Sequence, residues 1–332
     1  MNAKIENQKL LPPKLIPTIL AGFNTVANHL GLILFPLGLD LLFWFGPQLK
    51  LEKVLKPIYA SAIQTLIALN KPEMKSVLTT TQTEIDNILN RINLTNFLST
   101  FPLGVPSLLS GQGIKQTPLG APAIIELPSV GIIFLVSVLF ILIGLLFGSL
   151  YMSVIAQSTT NNKSSIKTTG KNVLNGVGLA FVLVIIFLIM SLPLLFIVSL
   201  ISLFSPAISQ IILIISTFIL LWLLIPLVFA PHGIFAKNMG IYQSIRQSVK
   251  VVRSYMPGTG MFLLVAILLA QGLDILWIVA PSQSWLTLVG ITGHAFIYTA
   301  LIASSFIYYQ KSGEWVSNLL ERINQLNQNK SV

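Results

Sequence analysis

Ionisable side chains are scarce in this chain, so each one inside an apolar stretch stands out. Of ten acidic residues, only Asp40 and Asp274 fall within long apolar runs, and His294 falls within another. A charge at bilayer depth costs about 2.5–3.5 kcal/mol on insertion scales, so such a group needs partners or a task to be retained. A carboxylate beside an imidazole can pass a proton or hold a cation, because histidine titrates near neutral pH and a neighbouring acid tunes it. The same pair can equally be a hydrogen-bonded clamp between helices. The residues alone leave both readings open.

Spacing brings these groups together. The apolar runs 260–281 and 285–309 are joined by the short turn Pro281–Ser284 and must be antiparallel. Asp274 and His294 then differ in depth by about three residues, roughly 5 Å at a helical rise of 1.5 Å. Gln271 lies one turn from Asp274 on the same helix face, level with His294. Asp40, six residues before Gly46, sits at a similar depth. An intramembrane polar cluster of Asp40, Gln271, Asp274 and His294 is therefore expected. His29 and His232 belong to the opposite side of the membrane, and no metal site is expected. The chain has no cysteine, which excludes disulfides, thiolate metal sites and cysteine nucleophiles. Phosphate-loop, dinucleotide, zinc-protease and nucleophile-elbow motifs are all missing, so neither a cofactor nor an enzyme active site is expected. Asn93-Leu94-Thr95 fits the glycosylation sequon, a triplet common by chance.

The elements that must hold the cluster follow from composition. The 332 residues are 54% hydrophobic and only 9% charged, with a mean hydropathy of +0.83. A soluble chain carries about 25% charged residues, so most of this one is solvated by lipid. The fold class expected is all-α: a polytopic membrane bundle of six transmembrane helices, with an extracytoplasmic helical hairpin and cytoplasmic interfacial helices. The spans run over about 25–46, 130–154, 176–203, 208–230, 260–281 and 285–309. By region, residues 1–24 form an N-terminal cytoplasmic segment, 25–46 the first transmembrane helix and 47–128 an extracytoplasmic segment. Residues 129–310 form a five-helix membrane region and 311–332 a C-terminal cytoplasmic helix. The first run lacks a small-x-small site and is interrupted by Pro36 and Asp40, so it reads as a retained helix rather than a cleaved signal.

Orientation follows from the basic residues. Lys4, Lys9 and Lys14 precede the first span. Lys163, Lys167 and Lys171 lie between the second and third, and Lys237, Arg246, Lys250 and Arg253 between the fourth and fifth. Lys311, Arg322 and Lys330 follow the sixth, while the turns 204–207 and 281–284 carry none. Both termini are thus expected in the cytoplasm, in a plasma membrane. The net charge of +10 is this bias rather than a sign of nucleic acid.

Four amphipathic stretches lie outside the spans. Residues 51–67 and 78–92 read as a helical hairpin stopped at Asn70-Lys71-Pro72, and 97–128 reads as a Gly/Pro loop lying on the membrane or the hairpin. Residues 238–255 set Ile241, Ile245, Val249 and Val252 beside a row of Arg246, Lys250 and Arg253, a pattern suited to anionic headgroups or a partner. Residues 312–327 repeat the pattern with Trp315 at headgroup level. Gly144-x-x-x-Gly148 marks a close helix approach, as do Gly290 and Gly293. Pro36, Pro193 and Pro226 should bend their spans. Trp222, Trp277 and Trp285 read as lipid-facing.

Two stretches resemble known proteins. Gly22-Phe23-Asn24-Thr25-Val26 with Leu34-Phe35-Pro36-Leu37-Gly38-Leu39-Asp40 resembles the opening of uncharacterised bacterial multi-pass membrane proteins. Gly240, Ser244, Ile245, Arg246, Ser248, Val252 and Arg253 resemble the cytoplasmic segment of a six-helix group that includes the membrane domain of some glycerophosphodiester phosphodiesterases. The resemblance implies a six-helix plan and carries over no catalytic residue. The expected role is a membrane scaffold or subunit acting with lipids, a membrane protein partner or a second copy of itself. The alternative is a transporter component with an Asp274–His294 site.

Overall fold

The computed structural model describes residues 11–69, 72–100, 102–160 and 165–330. Lys4, Lys9, Asn70, Lys71 and Lys163 of the expectations above lie outside them. The described residues are overwhelmingly helical, with one two-stranded sheet. Five helices are long and apolar enough to cross a membrane: α5 (Val130–Thr160), α6 (Ile166–Ser202), the run Pro206–Lys237, α10 (Met256–Trp277) and α11 (Thr287–Lys330). The run Pro206–Lys237 comprises α7 (Pro206–Leu224), a 3-10 turn and α8 (Ala230–Lys237). This is a membrane-embedded helical protein.

The first apolar run differs from the single span expected. It is two helices, α1 (Leu15–Asn28) and a second piece over Leu30–Phe45 that includes α2 (Leu34–Phe45), bent by 92° at the break. The ring of Pro36 would collide with the carbonyl four residues earlier in a continuous α-helix. That residue, Leu32, lies in the 3-10 turn Leu30–Ile33. The pair counts as a sixth span only if taken as one element. Pro193, by contrast, sits inside α6 without ending it.

The chain divides into two units. The first comprises Met1–Leu32, Met152–Gln271 and Ile297–Val332. Its core joins Ile19, Phe229, Val251, Val252, Phe262 and the Tyr308–Tyr309 pair. Phe262 stacks on Tyr308 with ring centroids 4.4 Å apart. Gly22 lets α1 meet α11: a Cβ there would fall 2.0 Å from Ser304 Oγ, whose hydroxyl donates to the Ile19 carbonyl at 3.1 Å.

The second unit comprises Ile33–Tyr151 and Gly272–Phe296. Strand β1 (Gln48–Lys50) pairs in parallel with β2 (Ile124–Glu126). Between them run the hairpin helices α3 (Glu52–Leu69) and α4 (Pro72–Arg91) and a long loop. The hairpin matches the two amphipathic stripes, yet Ile58, Leu66 and Ile88 remain exposed on it. The Gly/Pro loop does not simply lie on a surface. Leu103, Val105, Leu108 and Leu109 are buried within the unit.

Gly144 and Gly148 do permit close approach, but by the loop and not by another helix. A Cβ at Gly144 would fall 2.5 Å from the Leu98 carbonyl oxygen, and one at Gly148 1.6 Å from that of Leu103. Gly148 is eighteen residues into α5, so the loop reaches about 27 Å along that helix. Trp277 also departs from its expected lipid-facing position. Its ring carbon Cη2 would be 2.7 Å from a Cβ on Gly293, and its carbonyl 2.4 Å from one on Gly290, so the two glycines make room for it. Trp222 and Trp285 do lie on the surface.

Candidate functional site

The second unit carries the polar cluster. Asp40 projects from α2 and is completely buried. Its carboxylate accepts the Leu108 N–H at 3.1 Å and the Leu109 N–H at 3.0 Å. The Ser107 hydroxyl donates to the same group. Ser107 Oγ in turn accepts the Ser110 N–H at 3.0 Å. Residues 107–110 therefore form a serine-capped turn whose free amides close on the Asp40 carboxylate. A buried carboxylate can be kept only when its lone pairs are occupied, and here three donors come from one turn.

His294 lies on the other side. Its Nδ1 is 3.9 Å from Asp40 Oδ2, and its Nε2 is 3.8 Å from Asp274 Oδ1. The imidazole thus stands between two carboxylates. These separations are too long for direct hydrogen bonds, so the interaction along the row is electrostatic. His294 is 2% exposed and Asp274 19%, so the row runs from a sealed end at Asp40 to a more open one at Asp274. Around it, Trp44 is fully buried and donates its indole N–H to the Ser282 carbonyl at 2.7 Å. Ser282 donates to the Gln116 carbonyl at 2.9 Å. The turn joining α10 to α11 is thereby tied to both α2 and the loop.

Of the expected cluster, Asp40, His294 and Asp274 come together. Gln271 takes a different partner: its amide donates to the Tyr298 hydroxyl at 3.4 Å. Among the described residues, no group of three histidines and acids could hold a metal ion. His232 is a core residue of the first unit. Its Nε2 meets Ser305 Oγ at 2.7 Å, and the rings of Phe306 and Phe229 pack on it at 4.3 and 5.1 Å.

The basic helix α9 (Ile241–Ser254) belongs to the first unit. Arg246, Lys250 and Arg253 are exposed on it, while Ser244, Ser248, Val251 and Val252 are buried. The serines explain its seat. Pro226 interrupts the Pro206–Lys237 run at a 3-10 turn and frees backbone groups there. Ser248 Oγ donates to the Pro226 carbonyl at 2.7 Å and accepts the Phe229 N–H at 3.1 Å. Ser244 donates to the Ala230 carbonyl. Gly233 is required opposite, because a Cβ there would sit 2.1 Å from Ser244 Oγ.

Sequence reasoning missed three sets of polar residues. The Ser-x-x-Ser of 107–110 is a turn-cap pattern. The Ser-x-x-x-Ser of 244–248 places two hydroxyls on one helix face beside a proline-broken run. Asn93, read as a chance sequon, is structural: its Oδ1 accepts the Leu49 N–H at 2.9 Å and the Thr95 N–H at 3.2 Å. Compared with protein-family models, with curated proteins and with solved structures, the chain matches none.

Proposed function

We propose that this is a six-span protein of a bacterial plasma membrane, with both termini cytoplasmic, acting as a scaffold or subunit that engages lipids and partner proteins. The observation that carries the reading is the seating of α9. Its serine face is hydrogen-bonded to the broken run, so Arg246, Lys250 and Arg253 are held outward in a fixed row. A basic residue near an anionic membrane surface contributes about 1 kcal/mol, and three together make a useful contact. An apolar cleft of about 560 Å³ in the second unit, walled by Leu34, Gly38, Leu98, Val105 and Phe147, adds a surface suited to an acyl chain.

The test is lipid retention by the full-length protein in mild detergent. Mass spectrometry of the purified sample should show anionic lipid that falls when Arg246, Lys250 and Arg253 are all changed to Glu, and that falls likewise in high salt. Unchanged lipid content, with loss of a co-purifying protein, would replace the lipid account by a docking one. The Asp40–His294–Asp274 row favours a second reading, a transporter component in which the imidazole passes protons. That reading requires a pH-dependent flux in proteoliposomes that disappears in Asp274→Asn while the fold persists.

A further inference from the structure

We propose that a polar pocket of about 780 Å³ in the second unit binds a phosphate-bearing ligand. Its floor is one face of the two-stranded sheet. Side chains two apart on a strand point the same way, so Gln48 and Lys50 of β1 line it together with Ile124 and Glu126 of β2. One wall is the last turn of α4, with Asn87, Asn90 and Arg91. The other is the turn 111–115, where Gly111 and Gly113 take φ of +77° and +60°, conformations that suit glycine. The Gln48 amide donates to the Ile114 carbonyl and pins that turn to the sheet. The cavity is therefore a built feature of the unit.

Its charges are unbalanced in one direction. Lys50, Arg91 and Lys115 line it against Glu52 and Glu126. Both acids also have contacts outside the pocket. Glu52 pairs with Lys56 at 3.6 Å, and Glu126 accepts the Lys53 N–H at 3.5 Å. Among the described residues, no carboxylate forms an ion pair with Lys50, Arg91 or Lys115. Lys50 is buried, and its Nζ donates to the Asn90 carbonyl at 2.6 Å. That contact caps the end of α4, but a carbonyl is not a counter-ion. Burial pushes the Lys50 ammonium below the usual lysine range, even with Glu52 and Glu126 opposing the shift.

Capping explains Lys50 alone. It leaves Arg91 and Lys115 at the rim of the same cavity, beside the side-chain amides of Asn87 and Gln112. Three cations against two acids, with several amide donors facing the same space, suit a ligand rich in acceptors and negatively charged. A phosphate group meets that need, and an arginine fork with two lysines is suited to it. The phosphate could come from a soluble phosphorylated compound or from a lipid headgroup, and the two sources are separable.

Equilibrium dialysis of the full-length protein in detergent tests this, with labelled pyrophosphate as the first probe and dihexanoyl phosphatidic acid as the second. Ionic strength is held constant with chloride. Saturable binding is expected for at least one probe, weakened about ten-fold or more in the double variant Arg91→Gln/Lys115→Gln, since each charge-assisted contact is a strong one. Both residues are exposed, so thermal stability without ligand should not change. Lys115→Gln alone, on an exposed turn, gives the same comparison if the double variant does not fold. Binding of pyrophosphate alone assigns a soluble ligand, and binding of the short-chain lipid alone assigns a headgroup. No saturable binding of either probe, or binding unchanged in the variants, would overturn the proposal.

Discussion

Replacing Asp40 by Ala should release the turn at 107–110 without first unfolding the rest of the second unit. In the wild-type protein the carboxylate takes two buried backbone N–H groups, from Leu108 and Leu109, and the Ser107 hydroxyl. The hydroxyl can rotate to another acceptor, but the two amides cannot. A buried donor left without a partner costs about 1–3 kcal/mol, so two cost about 2–6 kcal/mol. Asp40→Asn keeps one acceptor oxygen and turns an NH2 group toward the remaining amide, which makes its cost about 1–3 kcal/mol. The predicted order of stability is therefore wild type, then Asn, then Ala. Hydrogen exchange read by mass spectrometry isolates the local effect. At 1.4 kcal/mol per factor of ten, a loss of about 2 kcal/mol or more should lower protection at Leu108 and Leu109 by about 30-fold or more in Asp40→Ala. Protection in the β1–β2 pair should fall less. Unchanged exchange at 107–110 would refute the reasoning, as would a loss spread evenly over the unit.

Other outcomes follow from the same geometry. His294 stands within 4 Å of two carboxylates, 3.8 Å from Asp274 and 3.9 Å from Asp40. The thermal destabilisations of Asp274→Asn and His294→Leu should therefore sum to more than that of the double variant, with a coupling of about 0.5–3 kcal/mol. Gly148→Ala should lower detergent stability by about 1–3 kcal/mol through overpacking, because its Cβ would fall 1.6 Å from the Leu103 carbonyl oxygen. Gly38→Ala, with nothing within 4 Å, should be neutral in the same melt. Ser248→Ala strands the Phe229 N–H and the Pro226 carbonyl, costing about 2–6 kcal/mol in stability, read as a lower melting temperature. For the proposed orientation, a cysteine at Leu119 should react with an impermeant reagent in intact cells, and one at Lys167 should react only after lysis. Both positions are exposed.

What could be read from the sequence was set by length and period. A run of twenty apolar residues has no soluble alternative, so the helical membrane class followed from composition. Counting residues from the turn at 281–284 put Asp274 and His294 at nearby depths, and their side chains stand 3.8 Å apart. The same counting could not show what Gln271 bonds to, because Tyr298 competes for its amide. Irregular backbone was the harder problem. Nothing periodic in 97–113 signals that its amides turn inward to a carboxylate 68 and 69 residues earlier in the chain. Gly144 and Gly148 announced a close approach but not whether a helix or a loop would make it. In α9 the charged row is the conspicuous pattern, while the hydroxyls at Ser244 and Ser248 do the fastening.

The closure of the 107–110 turn on Asp40 also has a bearing on the order of synthesis. Asp40 leaves the ribosome 67 residues before Ser107. At about 5–20 residues per second, that is a delay of about 3–13 s. His294 and Asp274 emerge much later still. If the first apolar run enters the membrane as it is made, it does so with an acid whose stabilising amides do not yet exist, at a cost of about 2.5–3.5 kcal/mol near a helix centre. The break at Leu30–Ile33 gives that nascent segment a way to wait. As two short helices rather than one continuous span, the segment need not commit Asp40 to lipid before Ser107, Leu108 and Leu109 have been made.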